Sequence, residues 1–157
     1  MTLDPQAKWV LDIAEEKGLP SLDELTPEEA KTAYEERALT LTYKNVDIGK
    51  TIDLDIPGPL GEVPIRIYHP VGMTESLPVL VYYHGGGWVV GSRNTHDGLC
   101  RLIANSGPFI VVSVDYRMGP EHPFPAAVVD SVAALNWTAD HIGEYNGDAD
   151  KIAVGGD

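Results

Sequence analysis

Three short apolar runs, at 79–83, 109–114 and 152–154, limit the fold more than any other feature of the chain. Each is continuous rather than alternating, as a strand covered on both faces requires. Between them lie stretches of helical character near 95–106 and 126–142. That is the spacing of β-α-β crossovers, so the three strands are expected to run parallel. Upstream the pattern differs. In the run 46–56, Ile52, Leu54 and Ile56 interleave with Asp53 and Asp55, and a second run, 63–68, follows Pro57-Gly58-Pro59-Leu60-Gly61. Alternation with a short turn-rich connection predicts an antiparallel edge pair. The expected class is α/β, with a mostly parallel central sheet and helices on both faces.

The first 44 residues have another character. Asp4, Pro5 and Gly18 bracket a helix over 4–17 with Trp9, Val10 and Ile13 on one face. Thr26-Pro27-Glu28-Glu29 carries both a capping box and a proline at the first helical position, which predicts a second helix to about Leu41. Residues 1–44 are therefore expected to be an appendage on a sheet domain that spans 45–157. Eleven basic residues against twenty-four acidic ones give a net charge of −13. This disfavours nucleic acid and anionic membrane surfaces as partners. Cys100 is the only cysteine and no apolar run approaches the roughly 20 residues of a bilayer span, so membrane insertion is not expected. With no basic, apolar leader pattern either, the expected location is cytoplasmic.

Chemistry concentrates in three segments. The strand 79–83 breaks into His84-Gly85-Gly86-Gly87-Trp88. Glycines at a strand end let the backbone approach a substrate closely, and consecutive N–H groups can hold an oxyanion. On its own, a glycine triplet reads equally as a flexible turn, and His84 as a hydrogen-bonding structural histidine. The strand 109–114 runs into Asp115-Tyr116-Arg117-Met118-Gly119-Pro120-Glu121-His122-Pro123-Phe124-Pro125. Proline presets this loop, and Asp115, Arg117 and Glu121 are expected to pair into a bracing network, with His122 bonding the loop rather than acting as a base. The third segment is Ile152-Ala153-Val154-Gly155-Gly156-Asp157, a strand entering Gly-Asp as a Gly-x-Ser-x-Gly elbow begins. His69, His96 and His141 lack metal-ligand spacing and Cys100 reads as an inert core thiol, so neither metal nor cofactor is expected.

Taken together, these segments resemble the hormone-sensitive-lipase-like, bacterial-type carboxylesterases of the α/β-hydrolases. That family shows His-Gly-Gly-Gly-Trp, then Asp-Tyr-Arg-Leu-Ala-Pro-Glu-His-Pro-Phe-Pro-Ala-Ala, then Gly-Asp-Ser-Ala-Gly. Order and spacing match, with Met118-Gly119 where Leu-Ala is usual. The resemblance implies that Gly86 and Gly87 supply oxyanion-hole amides, and that His84 anchors their loop. It further implies that Gly85 and Trp88 face the substrate and that Asp157 precedes the serine nucleophile. The N-terminal helices would form part of a cap, and the triad would lie beyond residue 157 in a remaining C-terminal segment. The implied activity is hydrolysis of short- to medium-chain carboxylic esters, a small-molecule substrate class, through an acyl-enzyme. Trp88, Phe124 and Trp9 are the aromatic residues that suit such a substrate. Two other readings stay open: a non-catalytic small-ligand-binding protein on the same fold, and a truncated inactive chain.

Overall fold

A computed structural model describes residues 2–43 and 45–157; Met1 and Lys44, the two ends of the expected N-terminal segment, lie outside the described residues. The chain forms, in order, α1 (Pro5–Glu16), α2 (Pro27–Leu41), β1 (Lys50–Gly58), β2 (Gly61–His69), β3 (Leu77–Tyr83), α3 (Asp97–Asn105), β4 (Ile110–Val114), α4 (Ala126–His141) and β5 (Gly147–Gly156). Both N-terminal caps form as their residues predict. The Asp4 carboxylate accepts from the Gln6 amide at 2.8 Å, and Thr26 and Glu29 exchange both bonds of the capping box. These satisfy donors that a helix start leaves open.

The five strands form one sheet in the order β1-β2-β4-β3-β5. β1 and β2 are the expected antiparallel hairpin, turning through Pro59 and Leu60. β4, β3 and β5 are parallel, with Val79 opposite Ile110 and Ile152. β2 also pairs antiparallel with β4, so the five described strands form a mixed sheet whose three central-to-edge strands β4, β3 and β5 are parallel. β1 starts at Lys50 rather than Val46. The carbonyls of Val46 and Asp47 accept from Arg101 and Asn105 of α3, which draws this segment away from the ladder. β5 starts earlier than expected, at Gly147, where the pairing with Leu77 shifts register before Val79. Asp148, Asp150 and Lys151 in that bulge conceal the strand in the sequence.

Because β4 and β5 flank β3 on opposite sides, the two crossovers step in opposite directions and place α3 and α4 on opposite faces. One core holds Ile65, Ile67, Val79, Val81, Ile110, Val112 and Val114 against Ala134 and Ile142 at the α4 side. The other holds Tyr68, Tyr82 and Val111 against Cys100 and Ala104 of α3. Strand alternation divides β4 between them. Full burial of such a side chain contributes about 1.5–3 kcal/mol, so the sheet domain carries the stability. In contrast, α1 has no buried residue and α2 only Ala30. What ties α2 down is polar: Lys31 pairs with Glu121, and Ser92 donates to Glu35 at 2.8 Å. The reversal of strand order at β3 sets the carboxyl ends of β3, β4 and β5 side by side, where open α/β sheets bind ligands.

Candidate active site

A cleft of about 480 Å³ opens at those strand ends, with Gly86, Gly87, Trp88, Tyr116, Val132 and Asp157 in its wall. After β3 the backbone turns through three successive residues of positive φ: Gly86 at 129°, Gly87 at 61° and Trp88 at 59°. The carbonyl of Gly86 accepts from both Val89 (3.1 Å) and Val90 (3.0 Å), closing the turn. A Cβ on Gly86 would lie 1.9 Å from the Val90 oxygen, so this position admits glycine alone. Among the described residues, nothing accepts from the amides of Gly86 or Gly87. Two adjacent free N–H groups in a cleft wall are the donor arrangement that a developing oxyanion needs.

Two residues before this turn lies an enclosed imidazole. His84 is buried, with its ring stacked on Tyr116 at 4.5 Å on one side and His96 at 5.4 Å on the other. Its Nδ1 lies 2.9 Å from the Gly85 carbonyl, which can only accept, so Nδ1 carries the proton. Burial pushes its pKa below the usual imidazole value despite the nearby Asp115 carboxylate, 3.7 Å from Nε2. Tyr116 also donates its hydroxyl to the His84 carbonyl. Gly85, expected to face the substrate, does line the cleft, but its amide is committed to Asp157 at 2.9 Å.

Asp157 stands at the end of β5 with both carboxylate oxygens engaged. Oδ1 accepts from the Tyr82 hydroxyl (2.6 Å) and the Gly85 amide, and Oδ2 lies 3.4 Å from Nε2 of His96. Burial raises its pKa, but the bonds from Tyr82, Gly85 and His96 outweigh that and hold the carboxyl below the usual carboxylate range. Burial and Asp157 together push the Tyr82 phenol well up, which keeps it a donor. Sequence reasoning missed both Tyr82 and His96. Strand alternation puts Tyr82 on the α3 face, but no spacing marks His96, which only the crossover brings to Asp157.

The loop after β4 is braced, though not as expected. Arg117 makes a bidentate pair with buried Asp130 of α4 (2.8 and 2.7 Å), Asp115 accepts from the Arg93 amide at 3.1 Å, and Glu121 pairs with Lys31. Asp115, Arg117 and Glu121 therefore each reach a separate element rather than one another. The amide of His122 donates to Met118, while its imidazole is exposed and bonds nothing among the described residues. Trp88 (68% exposed) borders both the cleft and a second apolar cavity of about 510 Å³, which Phe124 also lines. Trp9 borders neither, so its expected place beside the substrate is not seen. Ser131 lines the cleft, but its hydroxyl donates back to Ala127 at 2.7 Å along its own helix. Cys100 is buried, and desolvation pushes its thiol up to about 12.

A crossover sheet whose central strand ends in a glycine turn with unpaired amides, facing the end of the next strand, defines a class by its geometry. The family model for the alpha/beta hydrolase fold matches residues 80–157. The chain belongs to the α/β-hydrolases, in the carboxylesterase branch that its motifs resemble. Carboxylic ester hydrolase LipN of Mycobacterium tuberculosis is 41% identical over 160 residues, which cover 99% of this chain and 42% of that protein. An arylesterase of Saccharolobus solfataricus is 35% identical over 99% of this chain and 50% of its own length. Among solved structures, a hyperthermophilic esterase from the archaeon Pyrobaculum calidifontis superposes with a TM-score of 0.91 at 41% identity, covering 100% of this chain and 50% of that one. The chain spans about half the length of the curated relatives it matches. Among the described residues, no helix is long and apolar enough to cross a membrane.

Proposed function

We propose that this segment supplies the oxyanion hole and the nucleophile strand of a serine carboxylesterase. The observation that carries the reading is the pair of unpaired amides at Gly86 and Gly87, beside the end of β5. In this reading a serine follows Asp157, and the triad acid and base come from the part of the esterase fold that the relatives have beyond the matched half. The serine oxygen attacks the ester carbonyl carbon as its proton passes to the base. The carbonyl oxygen becomes an oxyanion that accepts from Gly86, Gly87 and the amide after the serine. The base then protonates the leaving alcohol, and water hydrolyses the acyl-enzyme to release the acid. Donors fixed before the reaction need no reorganisation as charge develops, and each contributes about 3–4 kcal/mol to barrier lowering.

The apolar cleft and the adjoining cavity, which meet at Gly87 and Trp88, support small to medium ester groups as substrates. Residues 1–44 act as a cap over this end of the sheet. The Lys31–Glu121 pair and the Ser92–Glu35 hydrogen bond support that assignment, because both join α2 to loops beside the oxyanion turn. The test uses the intact gene product. It is expected to release p-nitrophenol from p-nitrophenyl butyrate with saturation kinetics, and a p-nitrophenyl phosphonate is expected to add one covalent adduct at the residue after Asp157. Absence of both turnover and adduct overturns the proposal. Tight binding of an ester without either supports the ligand-binding reading instead.

A further inference from the structure

Asp157 does more than stand next in line to a nucleophile. Its three partners, Tyr82, Gly85 and His96, all belong to one stretch, from the end of β3 through the oxyanion turn to the start of α3. Asp157 itself belongs to the neighbouring strand end. Resting on the esterase reading above, we propose that the Asp157 carboxylate is a positioning residue that fixes the span between the oxyanion amides of Gly86 and Gly87 and the residue after Asp157.

The geometry is that of a clamp. Gly85 immediately precedes the two free amides, and its own N–H is held by Oδ1 at 2.9 Å. A Cβ on Gly85 would lie 2.9 Å from the Asp157 carbonyl oxygen and 3.0 Å from Oδ2, so the approach of the two strand ends leaves no room for a side chain there. Tyr82 donates to the same Oδ1 from below, and His96 meets Oδ2 from the start of the next helix. One side chain thus joins the two strand ends whose separation decides whether amide donors reach the oxyanion. Donors serve only within about 2.7–3.1 Å of it, so slack of a few tenths of an ångström acts on the transition state and leaves substrate affinity alone. The clamp depends on acceptor geometry more than on charge. An asparagine oxygen can still accept from Gly85 and Tyr82, the two bonds that tie the strand ends together.

The experiment measures kcat and KM for p-nitrophenyl butyrate hydrolysis by the intact wild-type gene product and by Asp157→Ala, Asp157→Asn, Tyr82→Phe and the Tyr82→Phe/Asp157→Ala pair. Asp157→Ala is expected to lower kcat by roughly 10- to 100-fold, less than deletion of a whole donor, with KM nearly unchanged. Asp157→Asn is expected to recover most of that loss. Tyr82→Phe is expected to lower kcat in the wild-type background but to add nothing to Asp157→Ala, because both act through one contact. Additive losses, a loss confined to KM, or an Asp157→Asn as impaired as Asp157→Ala each overturn the clamp. If Asp157→Ala does not fold, Tyr82→Phe and Asp157→Asn decide: a lowered kcat at constant KM in the first with near-wild-type turnover in the second supports the clamp, and any other pattern overturns it. A wild-type protein without turnover overturns the esterase reading and the clamp with it, which separates that failure from the others.

Discussion

Alanine at position 86 tests the oxyanion turn most directly. Gly86 holds φ at 129°, and an added Cβ would lie 1.9 Å from the Val90 oxygen and 2.6 Å from its carbonyl carbon. Ordinary contact begins at 3.4 Å, so the turn must open by about 1.5 Å. It cannot open without stretching the bonds that the Gly86 carbonyl accepts from Val89 and Val90. Backbone strain of this kind costs about 1–3 kcal/mol of stability. The same displacement carries the Gly86 amide out of reach of the oxyanion, a loss of about 2.7–4 kcal/mol in the barrier, or roughly 10²–10³ in kcat. Gly87 is the control. Its Cβ would meet nothing within 4 Å, and φ of 61° is the left-handed region that Trp88 next to it already occupies. Gly87→Ala should cost about 1–2 kcal/mol of stability without forcing the turn open, because its Cβ meets no protein atom. Both variants of the intact gene product would be compared in urea unfolding and in p-nitrophenyl butyrate kinetics at a concentration where they are folded. A Gly86→Ala enzyme with wild-type kcat, or one no less stable than Gly87→Ala, refutes the argument.

Other consequences concern stability and the cap. Arg117→Ala strands a buried carboxylate at Asp130 and should destabilise by about 3 kcal/mol at pH 7. Asp130 is held below the usual carboxylate range because the Arg117 bonds outweigh burial, so the wild-type advantage is complete above the unfolded pKa and shrinks as pH falls below about 4; denaturant titrations across pH check this. His84 is depressed by burial, so the unfolded chain binds its proton first and stability should decline as pH falls through about 6.5. His84→Asn should reduce that slope, with His69, also depressed by burial, supplying the remainder. Deletion of residues 1–44 removes the Lys31–Glu121 and Ser92–Glu35 ties, and is expected to change the chain-length preference of the intact enzyme, measured with p-nitrophenyl esters from acetate to octanoate.

Local rules made much of this molecule legible. Thr26 and Glu29 announce their helix because a capping box needs only four consecutive residues. The apolar runs at 79–83 and 109–114 mark buried strands because solvent is excluded from both faces, and β3 and β4 bear that out. The start of β5 was hidden because Asp148, Asp150 and Lys151 sit in a bulge that breaks the apolar pattern. The antiparallel pairing of β2 with β4 was hidden for another reason. Neighbours in a sheet are chosen by the competition among strands far apart in the chain, and no residue of β2 encodes the direction of its partner.

By itself the sequence determined the class, the helix starts and the glycine turn, because periodicity, capping and φ preference act over a few residues. Tertiary structure alone decided that Asp157 reaches across to Gly85, Tyr82 and His96, and that Arg117 finds Asp130 rather than Asp115 or Glu121. The separation of Trp9 from the cleft was decided there too. Such contacts depend on where the crossovers deliver strand ends and helix starts, and that placement is set by packing of the whole sheet against its two helical faces.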